Sequence, residues 1–583
     1  MNDGLFPSLR APALREAVAQ LADTDETDRG AVYTKPEVVR AILDLAGYHP
    51  AAPLHKRRLL EPSFGAGDFL LLVVDRLLES FARHGGGPAR LDELRDAVRA
   101  VEVHPASHQG THQKLVAKLV AWGAELAVAE SLAARWIVLD DFLLTPFSGQ
   151  FDFVVGNPPY VRQERIPAAL LSEYRARYRT IYDRADLYVP FFERGLRMLA
   201  PGGRLAFICA NRWLKNKYGG PLREFASSNF RLRYFIDMEG TSAFHSEVIA
   251  YPAITVFERG DGEETRIARR PEVTEPSLSK LVGAMLNGGS KSDARVYQVA
   301  HAVAGADPWL LDMPDRLLLL RKLERRFPEM EAAGCKVGIG VATGADKVFI
   351  GPYEDLPVEK ERKLPLVMAP DLQGTGIRWR GFGVVNPFNA DGSLADLDAF
   401  PKFGAYVRLH EERIAGRHCA QKNVNGWYRT IDRIWPELTW TPKLVIPDIK
   451  GEPTVVFDEG HYYPHHNLYY VTSAEWELNA LATVLRSSLA VLFISSYCVR
   501  MSGGFLRFQA QYLRRIHVPR WSQLAETQRQ ALRDASGSLD LKVIDSAVAV
   551  AYGLEPHEAE LVRATADEAR VPRKAVDRTA PAT

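Results

Sequence analysis

The segment Asn157-Pro158-Pro159-Tyr160 follows an apolar stretch, residues 151–155, and combines groups that can hold an amine beside a planar ring. The two prolines fix φ and lack amide donors, so the turn is rigid and its carbonyl oxygens stay available as acceptors. The side-chain oxygen of Asn157 and the carbonyl oxygen of Pro158 can both accept from one NH₂ group, while Tyr160 can stack on a base. Two acceptors draw the lone pair of the amine out of conjugation, which predicts its attack on an electrophilic methyl group. The alternative is a proline-rich turn without function, which the end of a buried strand disfavours.

A glycine-bearing turn precedes this motif in the chain. Glu61 ends a short apolar strand, Gly65 and Gly67 follow, and residues 68–83 have helical spacing. Glycines at such a junction permit a tight turn and a close approach of the backbone to a ligand, and the helix begins with free amide groups. The segment completes neither the G-x-G-x-x-G motif of dinucleotide-binding folds nor the Gly-Lys-Ser/Thr of a phosphate-binding loop. Taken alone, it fits a ligand-binding turn and an ordinary strand-to-helix turn equally well.

Carboxylates follow two further predicted strands. Glu102 ends the second strand and can accept hydrogen bonds from both ribose hydroxyls of a nucleoside. Asp140 and Asp141 follow the strand at residues 137–139, where one carboxylate can bond an adenine amino group while Phe142 covers the ring. The alternatives are a solvated carboxylate and a helix N-cap beside a core phenylalanine, and each is favoured when its segment is taken alone.

The elements that must position these residues alternate between strand-like and helix-like patterns. This βαβα alternation predicts a parallel sheet with helices on both faces. The predicted strands are residues 58–61, 100–103, 137–139, 151–155 and 204–208, and the predicted helices are residues 68–83, 112–129 and 190–199.

Taken in order, the motifs resemble the gamma class of DNA amino-methyltransferases, and the Taq-type and type IIG-like adenine methyltransferases are nearest in pattern. The resemblance rests on residues 30–36 (Gly-Ala-Val-Tyr-Thr-Lys-Pro), residues 61–67, Glu102, Asp141-Phe142 and residues 157–160. It implies an α/β fold, with a Rossmann-like methyltransferase domain built on a mostly parallel seven-stranded sheet. It also implies S-adenosyl-L-methionine as the cofactor.

The resemblance further implies a role for each matched residue. Phe244 is similar in position to a second aromatic residue that stacks on the base, beside Tyr160. Where the family usually has an acidic residue two positions after Glu102, this chain has His104. The residues implied to be catalytic are Asn157, Pro158, Pro159 and Tyr160, and those implied to bind the cofactor are Tyr33, Thr34, Glu61, Gly65, Gly67, Glu102, Asp141 and Phe142.

Base flipping follows from geometry, because an adenine amine inside a duplex cannot reach a buried cofactor. Unstacking costs a few kcal/mol, which stacking on Tyr160 and Phe244 partly offsets. No cysteine follows a proline, which disfavours methylation of a cytosine ring carbon by a Pro-Cys nucleophile. Asn157, instead of a serine, favours adenine over the cytosine amine. The predicted reaction is therefore methyl transfer to the N6 amino group of adenine in duplex DNA.

Composition changes along the chain and predicts four parts. The polar residues 258–276 contain glycines and prolines and predict the exit from the first domain. The predicted parts are a methyltransferase domain at residues 1–262, a helical connector at 263–330, a mixed α+β target-recognition domain at 331–523, and a helical segment with a tail at 524–583.

The third part resembles the target-recognition domains of type IIG-like enzymes. Arginine and asparagine can read base edges, whereas lysine mainly contacts phosphate. For any single residue, a solvated surface charge is the favoured alternative. The candidate DNA contacts are Arg378, Arg380 and Arg507, with Trp379, Lys422, Asn423 and Lys450 as further candidates.

Composition limits the partners, metal sites and cellular locations that we expect for the protein. The formal net charge of +1 neither favours nor excludes DNA, because a site-specific enzyme needs only a local basic cleft. The four cysteines are dispersed without a C-x-x-C pair, which argues against a zinc finger and a disulfide framework. We therefore predict no metal site. The sequence has no secretory signal and no apolar run of about 18 residues, which predicts a cytoplasmic protein that does not contact a membrane.

Three functional hypotheses follow. The first is a DNA adenine methyltransferase whose partners are double-stranded DNA and cognate proteins of a restriction or phage-defence system. The second is a methyltransferase that acts on RNA or on a protein glutamine, because these enzymes share the Asn-Pro-Pro-Tyr motif; the large second half disfavours it. The third is a non-catalytic DNA-binding module, which the intact motifs at Gly65, Gly67 and Asn157 disfavour. The oligomeric state is open.

Overall fold

The computed structural model divides the chain into two compact units, Met1–Pro314 and Asp315–Thr583. Two residues of the predicted N-terminal motif, Gly30 and Ala31, lie outside the described part of the chain, as does the tail from residue 571. So do the side chains of Val424, Ile449 and Lys450. The structure describes residues 12–24, 32–246, 251–288, 296–300, 303–450, 454–498 and 506–570.

The first unit alternates strands and helices, which confirms the predicted α/β class. Its helices are α1 (Pro12–Ala22), α2 (Pro36–Ala46), α3 (Asp68–Arg83), α4 (Pro105–Ala121), α5 (Leu126–Trp136), α6 (Ala168–Arg177), α7 (Tyr188–Arg197), α8 (Gly220–Asn229) and α9 (Glu275–Asn287). Its strands are β1 (Leu59–Glu61), β2 (Val98–Glu102), β3 (Ile137–Leu139), β4 (Phe151–Gly156), β5 (Leu199–Ala210), β6 (Phe230–Asp237), β7 (Pro252–Arg259), β8 (Glu264–Arg269) and β9 (Val296–Ala300).

These strands form one nine-stranded sheet in the order β3-β2-β1-β4-β5-β7-β6-β8-β9. The strands from β3 to β5 pair in parallel, and β7 runs antiparallel to both of its neighbours. The strand order reverses direction between β1 and β4. In open α/β sheets, ligands bind at the carboxyl ends of the strands beside such a switch point, so the fold itself indicates where a site should lie.

Helices cover both faces of the sheet. Successive side chains of a strand point to opposite faces, so each strand packs against both helical layers. Neighbouring residues Val154 and Val155 of β4 belong to two different apolar clusters. One cluster includes residues of α2 and α3, and the other includes residues of α7 and α8. All residues of β1 and β2 are buried, which is typical of parallel strands between two helical layers.

The predicted helix at residues 112–129 is wrong in its extent, because two helices, α4 and α5, occupy this region. The chain turns at Gly123, whose φ is 108°. Glycine adopts this left-handed conformation without steric cost. A Cβ atom at this position would also lie 3.0 Å from Pro88 Cγ. The apolar period continues across the break, and for this reason the pattern alone predicted a single helix.

The sheet is larger than the seven strands predicted. β8 pairs in parallel with β6, and β9 pairs antiparallel with β8. The polar segment that predicted a domain exit near residue 262 contains β8. This strand has exposed and half-buried positions, which polar residues occupy. The first compact unit runs to Pro314 and thus includes strands that follow residue 262.

From Pro314 onward, short strands and helices are mixed. The helices are α10 (Pro314–Arg326), α11 (Asp346–Phe349), α12 (Pro401–Leu409), α13 (Glu411–Ala415), α14 (His418–Gln421), α15 (Glu437–Trp440), α16 (Leu478–Arg486), α17 (Ser488–Tyr497), α18 (Ala510–Leu513), α19 (Glu526–Asp534), α20 (Leu541–Tyr552) and α21 (Pro556–Arg570). The strands are β10 (Cys335–Ile339), β11 (Ile350–Pro352), β12 (Lys363–Val367), β13 (Leu372–Gln373), β14 (Gly376–Ile377), β15 (Phe382–Val385), β16 (Lys443–Pro447), β17 (Ile449–Lys450), β18 (Val456–Asp458), β19 (Tyr463–Pro464), β20 (Leu468–Ser473) and β21 (Leu506–Arg507).

The second unit contains two four-stranded sheets, β10-β20-β16-β18 and β11-β15-β12-β19, and a small hairpin of β13 and β14. In the described residues, no single helix has the length and apolar character to cross a membrane. The helices α16 and α17 would meet these criteria only as a pair, and they are bent by 63°. Most residues of both helices are buried in the protein.

A buried ion pair joins two strands of the second unit. Lys443 of β16 lies opposite Asp458 of β18, and Nζ is 2.7 Å from Oδ2, with both side chains fully buried. Lys443 also donates to the carbonyl oxygens of Thr439 and Thr441, at 3.2 and 3.0 Å. Burial lowers the pKa of Lys443. Asp458 also accepts from the backbone amides of residues 460–462. The pair is thus well hydrogen-bonded, and Asp458 is the counter-ion of Lys443.

Replacing Asp458 by alanine should lower the free energy of unfolding by about 3–5 kcal/mol, because Lys443 would keep a buried charge without a counter-ion. Urea denaturation of the full chain at neutral pH measures this loss. The control is Asp398→Ala, which breaks an exposed pair with Arg408 and should cost less than about 1 kcal/mol. Equal losses in the two variants would contradict the assigned role.

Candidate active site

A cavity lies at the carboxyl ends of β1, β2, β3 and β4. It brings together segments that are far apart in sequence. Of the residues predicted for catalysis, cofactor binding or base stacking, four lie in the described part of the chain but do not line it; these are Gly67, Pro158, Tyr160 and Phe244. The predicted site residues that do line it are Tyr33, Thr34, Glu61, Gly65, Glu102, Asp141, Phe142, Asn157 and Pro159.

Asn157 follows β4 directly, and its amide is held in one orientation. The side-chain nitrogen donates to the Val32 carbonyl oxygen at 2.8 Å and to Thr34 Oγ1 at 3.3 Å. Because a carbonyl oxygen can only accept, the NH₂ end of the amide must face Val32. The side-chain oxygen Oδ1 is buried and has no hydrogen-bond partner among the described residues. Asn157 therefore presents a fixed acceptor that lacks a donor.

The residues after Asn157 shape the turn beside the cavity. Pro158 is buried, and Pro159 lines the cavity. Tyr160 is partly exposed, as stacking on a base requires, and its ring centroid lies 6.5 Å from that of Tyr188. Burial raises the pKa of the Tyr160 hydroxyl, so this tyrosine stays neutral and offers an aromatic surface.

The N-terminal segment that holds Asn157 is itself fixed by two neighbours. Thr34 forms an antiparallel bridge with Phe244, and the Thr34 amide donates to the Asp68 carboxylate at 3.0 Å. Phe244 is only 8% exposed and packs in the core of the sheet. In this position Phe244 supports the backbone of the segment, and its stacking on a base stays a prediction.

The glycine turn is braced by the next strand. The Gly65 amide donates to Glu102 Oε2 at 2.8 Å, and Thr111 Oγ1 donates to the Gly65 carbonyl at 3.1 Å. Gly65 and Gly67 have φ values of 51° and 93°, in the region that favours glycine. A Cβ atom on Gly67 would lie 3.1 Å from Thr111 Cγ2. Gly67 therefore permits the close packing of the turn, while Gly65 lines the cavity.

Three carboxylates, those of Glu61, Asp68 and Glu102, border the cavity from different elements. Glu61 is 1% exposed, and its Oε2 atom has no partner within the described residues. Burial, with the neighbouring charges of Asp68 and Glu102, raises the pKa of Glu61 well above its ordinary value. Burial also raises the pKa of Asp68. Such a cluster favours a cationic ligand, because a positive charge would offset both the burial of the carboxylates and the effect of Asp68 and Glu102 on Glu61.

The carboxylates after β3 are already engaged. Asp141 accepts from the Tyr174 hydroxyl, and Asp140 accepts from Thr145 Oγ1 at 2.8 Å. Both aspartates line the cavity, but these hydrogen bonds mainly stabilise the turn after the strand. The adjacent Phe142 is 2% exposed and packs in the core, where it still borders the cavity.

Sequence reasoning missed Asp68 and Phe191 as cavity residues. Asp68 starts α3, where an acidic residue is common for reasons of the helix dipole alone. Its contact with Thr34 depends on a chain crossing that no local pattern reveals. Phe191 lies in α7 and has the pattern of any core phenylalanine. Neither residue carries a local signal that distinguishes it from an ordinary helix-start carboxylate or an ordinary core aromatic residue.

The arginines predicted to contact DNA lie in different environments of the second unit. Arg378 is exposed beside the β13–β14 hairpin. Arg380 pairs with the buried Asp371 at 2.7 Å, and Arg507 forms an ion pair with Asp448. Among these three arginines, therefore, only Arg378 lies at the surface without an aspartate partner in the described residues.

The further candidates for DNA contact also differ from one another. The Trp379 indole donates to two backbone carbonyls, both at 3.0 Å, and so helps to hold the local fold. Lys422 and Asn423 are exposed, and the side chain of Lys450 lies outside the described residues. Their contact with DNA stays a prediction.

A group of three side chains in the second unit, Asp346, His465 and His466, has donor atoms within 4.8 Å of one another. His465 Nε2 lies 3.5 Å from Asp346 Oδ2. Such a set can hold a metal ion, although the sequence predicted no metal site. None of the three lines the cavity at the carboxyl ends of the strands.

The strand order, the acidic cavity and the Asn157 turn together define a Rossmann-like methyltransferase unit. Two family models match the chain. Residues 106–244 match the Eco57I restriction-modification methylase, and residues 396–518 match the TaqI-like C-terminal specificity domain.

Known relatives match most of the chain. It is 53% identical to the type II methyltransferase M.PaeR7I of Pseudomonas aeruginosa, over 91% of this chain and 92% of the relative. It is 50% identical to the type II methyltransferase M.XhoI of Xanthomonas vasicola, over 92% of this chain and 99% of the relative. The chain belongs to the type II methyltransferases of restriction-modification systems, and it is a DNA methyltransferase.

A solved structure shares the fold at low sequence identity. The type IIL restriction-modification enzyme MmeI, solved in complex with DNA, matches with a TM-score of 0.56 and 14% identity. The match covers 97% of this chain and 77% of that one. At this identity the likeness concerns the fold alone.

Replacing Glu61 by glutamine should change how stability depends on pH. The folded protein keeps the Glu61 proton above the pH at which the unfolded chain releases it, so wild-type stability falls as pH rises through this interval. The variant lacks this loss and should gain stability relative to wild type as pH rises from about 5 to about 8. Urea denaturation without ligand at the two pH values measures the difference.

The matched control is Glu130→Gln, at an exposed glutamate of α5. It should follow the wild-type profile. If Glu61→Gln also follows that profile, the Glu61 carboxylate does not carry the burial cost assigned to it.

Proposed function

We propose that the chain transfers a methyl group from S-adenosyl-L-methionine to the N6 amino group of adenine in duplex DNA, after the base has rotated out of the helix. The observation that carries the proposal is the buried Oδ1 of Asn157, which has no partner among the described residues and whose orientation Val32 and Thr34 fix. An unpaired buried acceptor costs about 1–3 kcal/mol. A ligand amine would remove that cost, which supports an amine as the target group.

The target amine would be held by two acceptors. Asn157 Oδ1 would accept one N–H and the Pro158 carbonyl oxygen would accept the other. Both contacts draw the nitrogen lone pair away from the base ring and leave it free for attack. Tyr160 would stack on the base and keep the amine aligned with these acceptors.

The cavity residues fit the charge of the proposed cofactor. When bound, S-adenosyl-L-methionine supplies a methyl group on a positively charged sulfur, which a nitrogen lone pair can displace. Glu61 and Asp68 would face its positive groups, and the pKa values of both carboxylates, which burial raises, support this assignment. Glu102 would hold the ribose while it braces Gly65. The further proposed cofactor contacts are Tyr33, Thr34, Gly67, Asp141 and Phe142.

Base flipping would bring the adenine to this cavity. The Asn157 turn is built into the end of a strand, so the base must move to the enzyme. Unstacking costs a few kcal/mol, and stacking on Tyr160 would offset part of this cost. Phe244 would contribute indirectly, through the backbone bridge that it forms with Thr34.

The second unit would select the DNA site. We assign target recognition to residues 331–523 and propose that Arg378, exposed beside the β13–β14 hairpin, contacts DNA. Arg380 and Arg507 already form ion pairs with aspartates. They would therefore contribute to target recognition mainly by holding these aspartates in place. A cognate restriction enzyme that cuts the same site is the proposed partner in the cell.

Methylation of RNA or of a protein glutamine is the alternative that the Asn-Pro-Pro-Tyr motif leaves open. The match of residues 396–518 to a specificity domain favours DNA. A cytosine amine is the alternative within DNA, because it carries the same NH₂ group.

Replacing Asn157 by alanine should lower methyl transfer to DNA by about 10³-fold, since it removes an acceptor that acts on the reacting nitrogen. Cofactor affinity should fall much less than transfer does, because the proposed cofactor contacts lie on other residues and the variant loses only the two hydrogen bonds that hold Val32 and Thr34. Transfer from labelled S-adenosyl-L-methionine and calorimetric titration of the cofactor measure the two effects. Nucleoside chromatography of the product identifies the methylated base.

The control is Asn229→Ala, at an exposed asparagine that ends α8. It should retain wild-type transfer. Label on RNA or protein alone would reject DNA as the substrate, and methylated cytosine would reject adenine. Undiminished transfer in the Asn157→Ala variant would refute the role of the amide.

A further inference from the structure

A second cavity, distinct from the acidic one, is lined by four arginines. These residues are Arg162, Arg165, Arg184 and Arg212, and we call this cavity the arginine cleft. Two carboxylates, Glu164 and Asp186, line the same cavity. Cations therefore outnumber anions in the cleft, in a chain whose net charge is only +1.

The arginine cleft lies at the same edge of the sheet as the Asn157 turn. Arg162 follows Tyr160 by two residues, and Arg212 follows the end of β5 by two residues. Since β4 and β5 are parallel neighbours, their carboxyl ends lie side by side. The cleft thus flanks the place where a rotated base would enter.

Aromatic contacts connect the cleft to Tyr160. The Tyr160 and Tyr188 ring centroids are 6.5 Å apart, and the Tyr188 hydroxyl lies 3.0 Å from the Tyr218 hydroxyl. Tyr218 lines the cleft. A nucleotide stacked on Tyr160 would therefore hold its own backbone close to the arginines.

Three of the arginines are available for a ligand. Arg162 and Arg184 are exposed, and Arg212 is half-buried with its guanidinium 5.5 Å from the Tyr251 ring. Among the described residues, these three side chains form no hydrogen bond and no ion pair. Burial raises the pKa of Asp186 to about 6, against the opposing effect of Arg212 and Arg162.

We propose that the arginine cleft binds phosphodiester groups of the DNA strand that carries the target base, next to the flipped nucleotide. The proposal rests on the proposed function, which places that base at Tyr160. Guanidinium groups match phosphate oxygens in geometry and bind them bidentately. Contacts to phosphate hold the strand in register without reading its sequence.

The test uses the full-length double variant R162Q/R184Q, at two exposed arginines, and the double variant R162Q/R212Q. Binding is measured from about 50 to 200 mM salt. One duplex carries a site found to be methylated by the wild-type chain, and a second has a scrambled sequence. Each lost phosphate contact should lower the slope of log affinity against log salt by about one. Affinity should fall about tenfold or more at the lower salt, while S-adenosyl-L-methionine affinity stays at the wild-type value.

The control is Arg95→Gln, at an exposed arginine just before β2, on the opposite edge of the sheet. It should leave affinity and slope unchanged. Wild-type slopes in both double variants would overturn the proposal, as would an equal loss of cofactor affinity, which would indicate a structural role. A larger loss for duplex RNA than for DNA would also overturn it.

The two proposals can fail separately. If the wild-type chain methylates no adenine, the proposed function fails, and the scrambled duplex still measures the contribution of the cleft to DNA binding. If methylation is found but both slopes are unchanged, only the arginine cleft is rejected.

Discussion

Two hydrogen bonds from the Asn157 amide nitrogen join the end of β4 to the N-terminal segment, and the rest of the site depends on them. They determine that the amide presents oxygen, and only the oxygen of an amide can accept from an amine. Thr34, one of the two partners, is fixed in turn by Asp68 and by its bridge to Phe244. The same segment lines the cavity. The position of the acceptor and the shape of the cavity are therefore set by one piece of chain.

The acidic cavity is unfavourable in the absence of a ligand. Glu61 is buried beside two other carboxylates, and one of its oxygens has no partner in the described part of the chain. A fold selected for stability alone would replace it, because a buried polar group without a partner is destabilising. Buried polar groups that lower stability in this way are expected where a protein binds its ligand. The unpartnered oxygens of Glu61 and Asn157 are complementary to a cation and to an amine, the two groups that the proposed reaction brings together.

The sequence predicted the parts of the structure that depend on local pattern. The bounds of α3, Asp68–Arg83, match the prediction because its apolar residues recur at helical spacing up to both ends. Strands β8 and β9 were missed because β8 is polar and pairs with distant residues. The partners of Arg380 and Arg507 could not be predicted, since each depends on a tertiary contact with an aspartate. Motif order grouped most of the cavity residues, but it could not show that Phe244 packs in the core.

Although the net charge is only +1, acidic and basic side chains form separate clusters at one edge of the sheet. The acidic cavity is lined by Asn157 and Pro159, and the arginine cleft includes Arg162, which closely follows the same turn. The two cavities suit ligands of opposite sign. Salt screens each field within about 8–10 Å, so the cleft attracts phosphate only at close range. A chain with little net charge has weak long-range attraction for DNA of any sequence. In the proposed function, the arginine cleft acts after the second unit has selected its site, and the choice of sequence is left to base contacts.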